Sequence, residues 1–401
     1  MSTASTTAAA APATPSGRKL KAAILGATGT VGQRFLTLLA AHPFFTVHAV
    51  CASPRSAGKP YAEAANWKLA GDVPEGMSSL IVEPCTVVPG SRLAECDVAF
   101  SGLDSSVATE VEAHIALAGI PVFSNAKNFR MHPHVPLVVP TANADQLAPM
   151  VRAQLDRGAN SIFAKDATSP PAQPKAGGYM VTNSNCSTTG LAVILRPLID
   201  TFGPIDQMSV VTLQAVSGAG YPGLPVLDVF DNVVPYIGGE EDKLETEPHK
   251  ILGKVDAATG KLTHIHQSDM KVTAACNRVP VLDGHTLNIS LRFKNRDAVP
   301  TPDQIASVLA AYTPPPADVL SKCPSCPAHA IHVASQPDRP QPRLDRDRGQ
   351  GMTVTVGRIR ECALLDIKLV TLTHNTVLGA AGSSLLNAEV AYVQGLLKAR
   401  D

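Results

Sequence analysis

Cys186 is the residue whose surroundings argue most strongly for chemistry. It stands in Thr182-Asn183-Ser184-Asn185-Cys186-Ser187-Thr188-Thr189-Gly190, just ahead of the apolar run at 191–195, so it falls at or just before the start of an expected helix. A thiol of ordinary pKa, near 8.5, is only about 3% ionised at neutral pH, and a helix N-terminus or a nearby cation raises that fraction. An inert core cysteine would have apolar neighbours, whereas Ser, Thr and Asn crowd this one. The other seven cysteines, at 51, 85, 96, 276, 323, 326 and 362, have no comparable setting and are expected to be unreactive.

A second suggestive stretch is Gly26-Ala27-Thr28-Gly29-Thr30-Val31-Gly32. It follows the apolar run at 20–25 and precedes Val31, Phe35, Leu38 and Leu39, which recur with helical spacing. Glycines between a strand and a helix let the backbone approach a pyrophosphate, and the helix N-terminus favours its charge. A glycine turn that binds nothing is the plain alternative, and the G-x-x-G-x-x-G spacing also occurs in non-enzymatic dinucleotide sensors. After the next apolar run, where an NAD site would carry Asp or Glu, the chain reads Ala52-Ser53-Pro54-Arg55-Ser56. Two hydroxyls and a guanidinium suit a 2'-phosphate, so NADP is expected over NAD. Cys323, Cys326, His329 and His332 are of zinc-ligand type, but their spacing is too tight to converge tetrahedrally, and no metal is expected.

These residues need a scaffold to hold them. With 401 residues, 45% of them hydrophobic, the chain suggests two units of comparable size. Lys plus Arg equals Asp plus Glu at 34 each, and without long runs of one sign the footprint of a nucleic-acid binder is missing. No apolar stretch approaches the roughly 18 residues of a membrane span. Residues 1–17 are mostly Ala, Ser, Thr and Pro and read as a disordered tail, not as a signal or transit peptide. Scattered cysteines suggest a reducing compartment, hence the cytoplasm.

Strands are expected at 20–25, 45–50, 97–103, 121–124 and 136–140, with a helix after the glycine turn and another at 105–117 closed by Gly119. The alternation implies an α/β fold: a parallel sheet with helices on its faces, a Rossmann-like dinucleotide-binding domain over residues 18–178. Residues 156–178 read as an exposed insertion or linker. Farther on, 270–281 and 285–293 flank the hairpin dipeptide Asp283-Gly284, and the second segment alternates at Leu287, Ile289, Leu291 and Phe293. A second, α+β domain with a mixed or antiparallel sheet is expected over 179–373. Residues 314–342 read as a long loop, 352–356 and 363–372 as strands. An amphipathic helix with a Ser cap is expected at 383–398, inside a C-terminal segment, 374–401, that completes the first domain.

Five blocks carry a resemblance: SNCSTTG at 184–190, QAVSGAGYPG at 214–223, DNVVPYIGGEEDK at 231–243, NRVPVLDGHT at 277–286 and HNTVLGAAGSSLLNAE at 374–389. In these the chain resembles aspartate-semialdehyde dehydrogenases of the fungal and archaeal type, over nearly everything from residue 19 onward. The resemblance implies an NADP-dependent enzyme of the aspartate pathway to threonine and methionine, in which Cys186 attacks the aldehyde and inorganic phosphate releases the thioester as L-4-aspartyl phosphate. It implies His285 as acid–base group, Arg278 as clamp of the substrate carboxylate, and Glu240 as holder of its ammonium. Lys243 would sit near phosphate or substrate, Arg130 would bind phosphate, Gln214 would orient the substrate, and Asn185 would help stabilise the oxyanion. Ser101, Ser217, Gly218, Gly379 and Gly382 would join the glycine loop in holding the cofactor. The second domain would be catalytic and dimerising, in a homodimer or homotetramer.

Each role has a plainer alternative: a turn histidine for His285, an exposed i, i+3 ion pair for Glu240 and Lys243. A malonyl-CoA reductase would share thiol and cofactor, but Glu240 would repel a malonyl carboxylate. An NADP sensor would keep the glycine loop without needing Cys186, His285 and Arg278.

Overall fold

The computed structural model describes residues 18–171 and 174–400; the expected tail at 1–17 lies outside them. Six strands form one parallel sheet: β1 (Leu20–Leu25), β2 (Phe45–Ala52), β3 (Val82–Pro84), β4 (Val98–Ser101), β5 (Val122–Ser124) and β6 (Met180–Thr182). Their order is β3-β2-β1-β4-β5-β6, the doubly wound arrangement in which the chain reverses direction beside β1. Every residue of β1 except Lys21 is buried, as an interior strand covered on both faces requires. Helix α1 (Thr30–Leu39) follows β1, and α2 (Ser105–Leu117) follows β4. The Asp104 side chain accepts from Ser106 N–H to start α2, and Gly119, at φ +80°, ends it.

Two expectations change in this unit. Residues 136–140 are not a strand: Leu137 makes one bridge to Thr182, and a short helix, Pro140–Asn143, follows at once. Residues 156–178 are exposed only in part: helix Ala159–Phe163 buries Ile162 and Phe163 against the outer face of the sheet, while 168–170 and 174–177 are exposed as expected. β6 pairs with β5 and ends the sheet on this side.

The second unit is a six-stranded mixed sheet. Its strands are β7 (Ile205–Gln214), β8 (Lys271–Arg278), β9 (His285–Phe293), β10 (Ile331–Val333), β11 (Val354–Glu361) and β12 (Ile367–Thr373), ordered β8-β7-β9-β12-β11-β10. The alternation expected of β9 holds, with Leu287, Ile289, Leu291 and Phe293 all buried. The hairpin does not form. β7 lies between β8 and β9, parallel to one and antiparallel to the other. The connection crosses the end of β7, pinned by hydrogen bonds from Val279 N–H to Gln214 O, Val216 N–H to Val281 O and Ser217 N–H to Leu282 O. Asp283-Gly284 still turns the chain, with Gly284 at φ +107°. That crossing brings His285 beside Ser217 and Gly218.

Residues 314–342 contain the edge strand β10 and helix Ala317–Leu320, so they belong to the fold and are not a bare loop. Three helices matter for the site: α3 (Cys186–Phe202), α4 (Glu240–Ile251) and α5 (Gly382–Val393). The expected amphipathic helix is α5, but from Gly382 to Tyr392 it is buried all round, Glu389 included. No Ser caps it: Ser383 lies inside the helix, its hydroxyl donating to Leu378 O, and the π-helical turn Val377–Ala381 runs straight into it. α5 packs on β5 and α1, so the end of the chain returns to the first unit, and one apolar cluster runs through both units. Among the described residues no helix is long and apolar enough to cross a membrane.

Candidate active site

The glycine turn forms the floor of a cleft of about 730 Å³ lined by Gly26, Thr28, Gly29, Thr30, Val31, Ser53, Gly102, Leu103, Gly218 and Tyr221 among others. Gly26 has φ +74°, and a Cβ there would lie 2.8 Å from Gly102 O. Gly32 faces inward instead: its Cβ would lie 2.3 Å from Gly26 O, so it serves the close packing of helix on strand. Gly29 caps α1 without a side-chain bond, which leaves first-turn N–H groups available to an anion. The fit to a dinucleotide pyrophosphate is therefore good.

Some expected cofactor residues stand elsewhere. Arg55 and Ser56 continue the turn after Ser53 without lining the cleft, and Arg55 is exposed. Ser101 is buried beneath it, beside Glu112. Gly382 packs on the sulfur of Met352 and the carbonyl of Val377, where a Cβ would collide, so it serves the turn into α5 and not the cleft.

Thr30, Val31, Leu103 and Gly218 also line a second cavity of about 540 Å³, so cleft and cavity are continuous. Cys186, Asn185, Gln214, Ser217, Glu240, Lys243, Arg278, Arg130 and Gly379 all line it. Residues as far apart in sequence as 130 and 379 are thus brought to one place.

Cys186 is the first residue of α3. Asn185 caps the helix, its side-chain oxygen accepting from Ser187 and Thr188 N–H at 2.9 and 3.3 Å. The π-helical turn lies directly over the cysteine: a Cβ on Gly379 would come within 2.9 Å of Cys186 Cβ. The expected activation of the thiol is not met by the protein alone. Burial and then Glu240 push it up to about 12, while Arg130, Lys243 and Arg278 pull the other way.

Glu240 is held by three donors: Lys243 Nζ at 2.5 Å, Asn185 Nδ2 at 2.8 Å and Gln214 Nε2 at 3.4 Å. Burial alone would raise its pKa, but Lys243 and these hydrogen bonds outweigh it and leave the carboxyl below its ordinary value. The Glu240–Lys243 pair is therefore no exposed surface pair. Arg278 donates to Ala215 O at 2.7 Å, and burial lowers its pKa.

His285 does not line the cavity; it stands one layer behind Gly218. A Cβ on Gly218 would lie 3.2 Å from His285 Nε2 and 3.1 Å from Arg278 Nη1. His285 Nδ1 accepts the Ala215 N–H at 3.1 Å, while Nε2 has no partner. That arrangement puts the proton of the neutral ring on Nε2. Burial, then Arg278, lowers its pKa to about 3, so the ring is uncharged.

Sequence reasoning missed Asn375, which lines the cavity and ties Gly284 N–H to Ser217 Oγ, both at 2.8 Å. It also missed Glu247 and Lys250, although their spacing from Glu240 and Lys243 marks one helical face. Among the described residues no group of three or more His, Cys, Asp or Glu could hold a metal.

The family of semialdehyde dehydrogenase NAD-binding domains matches residues 21–150, and that of semialdehyde dehydrogenase dimerisation domains matches residues 195–378. Aspartate-semialdehyde dehydrogenase of Candida albicans is 50% identical over 94% of this chain and 99% of its own length. That of Schizosaccharomyces pombe is 49% identical over 94% and 99%. The crystal structure of the Candida albicans enzyme with NADP superposes with a TM-score of 0.83 at 48% identity, covering 94% of this chain and all of that one.

Proposed function

This chain belongs to the aspartate-semialdehyde dehydrogenase family, and on that premise we propose that it interconverts L-4-aspartyl phosphate and L-aspartate 4-semialdehyde with NADP, through a thioester on Cys186. The observation that carries the reading is the continuity of a pyrophosphate-ready cleft with a cavity where one thiol faces three cations and one carboxylate.

Arg278 holds the substrate carboxylate and Glu240 its ammonium, two opposite charges that line the nucleophile's cavity. Gln214 supports Glu240 and orients the substrate beside it. Cys186 releases its proton to solvent and attacks the aldehyde carbon as a thiolate, a form that its three neighbouring cations favour. The new oxyanion meets the backbone N–H of Cys186 and the second amide hydrogen of Asn185. His285 backs the site from behind Gly218 as a hydrogen donor through Nε2, with its second nitrogen already committed to Ala215. NADP, seated on the glycine turn with Ser53, Ser217 and Gly218 alongside, supplies the hydride acceptor. Arg130 and Lys243 hold inorganic phosphate against the acyl carbon, and its attack frees Cys186. Biosynthetic flux runs in the opposite sense.

Assembly as a homodimer or homotetramer is supported by Val226, Leu227, Phe230 and Tyr236, exposed apolar side chains of the second unit, and by the dimerisation-domain match. The eight cysteines are all free, in keeping with the cytoplasm.

The test follows reduced-cofactor absorbance with L-aspartate 4-semialdehyde and NADP, with and without phosphate. Reduction that depends on phosphate is expected. Equal rates in both conditions would remove the acyl-phosphate step.

A further inference from the structure

Glu240, Lys243, Glu247 and Lys250 are spaced three, four and three apart along one face of α4. The first pair lines the cavity. The second pair is buried behind it, Glu247 at 2% exposure and Lys250 at 0%, where charges are found only if paired. One Glu247 oxygen accepts from Arg130 Nη1 at 2.9 Å, and the other accepts from the backbone N–H of Asn185 at 2.7 Å. Lys250 Nζ donates to the carbonyls of Arg130, His132 and Val135 at 2.6, 2.8 and 2.8 Å, holding the loop on which Arg130 rides. Arg130 is fixed again by Nη2 to Asn125 O at 2.7 Å, and its Nε has no partner.

We propose that Glu247 is a positioning residue for the phosphate step: its two oxygens set Arg130 and the start of the nucleophile's helix at a fixed separation, so that phosphate meets the acyl carbon in register. The proposal rests on the reading of Arg130 as the phosphate ligand. Glu247 touches neither substrate nor cofactor. A carboxylate is required because both partners are donors and each oxygen must accept. Glutamine keeps the size but offers one acceptor, so its NH2 would face a donor and one of the two links breaks.

The experiment measures KM for inorganic phosphate, semialdehyde and NADP in Glu247→Gln, with the folded fraction checked by circular dichroism. The phosphate KM is expected to rise about tenfold or more while the other two stay within about twofold. A phosphate KM left unchanged, or all three constants rising together, overturns the proposal and leaves Glu247 a structural ion pair. If Glu247→Gln does not fold, Glu247→Asp, one methylene too short to reach both partners, undergoes the same comparison. Arg130→Met is run in parallel. An unchanged phosphate KM there overturns the reading of Arg130 and this proposal with it; a rise there without one in Glu247→Gln removes Glu247 alone.

Discussion

The cofactor cleft and the catalytic cavity share a wall but are made of opposite materials. The cleft is backbone: glycines at 26, 29, 102 and 218, an uncapped helix start, and no charged side chain but Asp104 on its lining. The cavity is built of buried ionic groups that neutralise one another, Glu240 with Lys243 and Arg130 with Glu247, around a thiol that burial keeps protonated. A backbone site is fixed by local conformation and tolerates change in its side chains. A network of buried charges has no such tolerance, since removing one partner strands the other in low dielectric.

The sharpest way to separate the two is Cys186→Ala. Turnover should fall by at least about 10⁴-fold, as loss of an attacking nucleophile does, while NADP affinity by titration calorimetry stays within about twofold. A parallel loss of cofactor binding would mean that the cavity and the cleft are one energetic unit. Next comes Arg278→Lys, which keeps the charge but loses the planar fork. It should cost roughly 10- to 100-fold in kcat/KM for the semialdehyde and spare NADP.

The third concerns pH. His285 has a folded pKa of about 3 against an ordinary 6.5. Between those values the unfolded ring binds a proton that the buried ring refuses. Its share of stability is thus complete above about 6.5 and is lost as pH falls toward 3. Urea midpoints of the protein should drop from neutral to about pH 5, and His285→Gln should flatten that slope. An equal slope in both would place the acid sensitivity elsewhere.

The smallest effect belongs to the cleft. Arg55 is exposed and outside the lining, so Arg55→Ala should weaken NADP by only about two- to fivefold. A loss of two orders of magnitude would show that the 2'-phosphate is held by this side chain and that the cleft is less a backbone site than its walls suggest.

The same contrast explains what was legible from residues alone. The glycine turn and the cysteine at a helix start are contiguous stretches, and local physics settles both. Strand order is not local: Asp283-Gly284 carries hairpin chemistry, yet β7, about 70 residues earlier, takes the place between its flanking strands. Buried charge misleads in another way. Glu247 and Lys250 sit among polar neighbours in sequence, Glu389 among mostly apolar ones, and charge is normally a solvent signal. Glu389 is instead fully buried, bound by His42 at 2.8 Å and Ser325 N–H at 2.9 Å. That is why α5 looked amphipathic.

Helix α5 also sets a timetable. It fills the face of the first sheet, with Asn387 Nδ2 donating to Val138 O and Ser384 to Asn183, yet the ribosome delivers it some two hundred residues after the last strand of that sheet. While that stretch is being synthesised, the nascent nucleotide-binding half must wait with an oily flank unsealed, which exposes it to chaperones until this helix emerges.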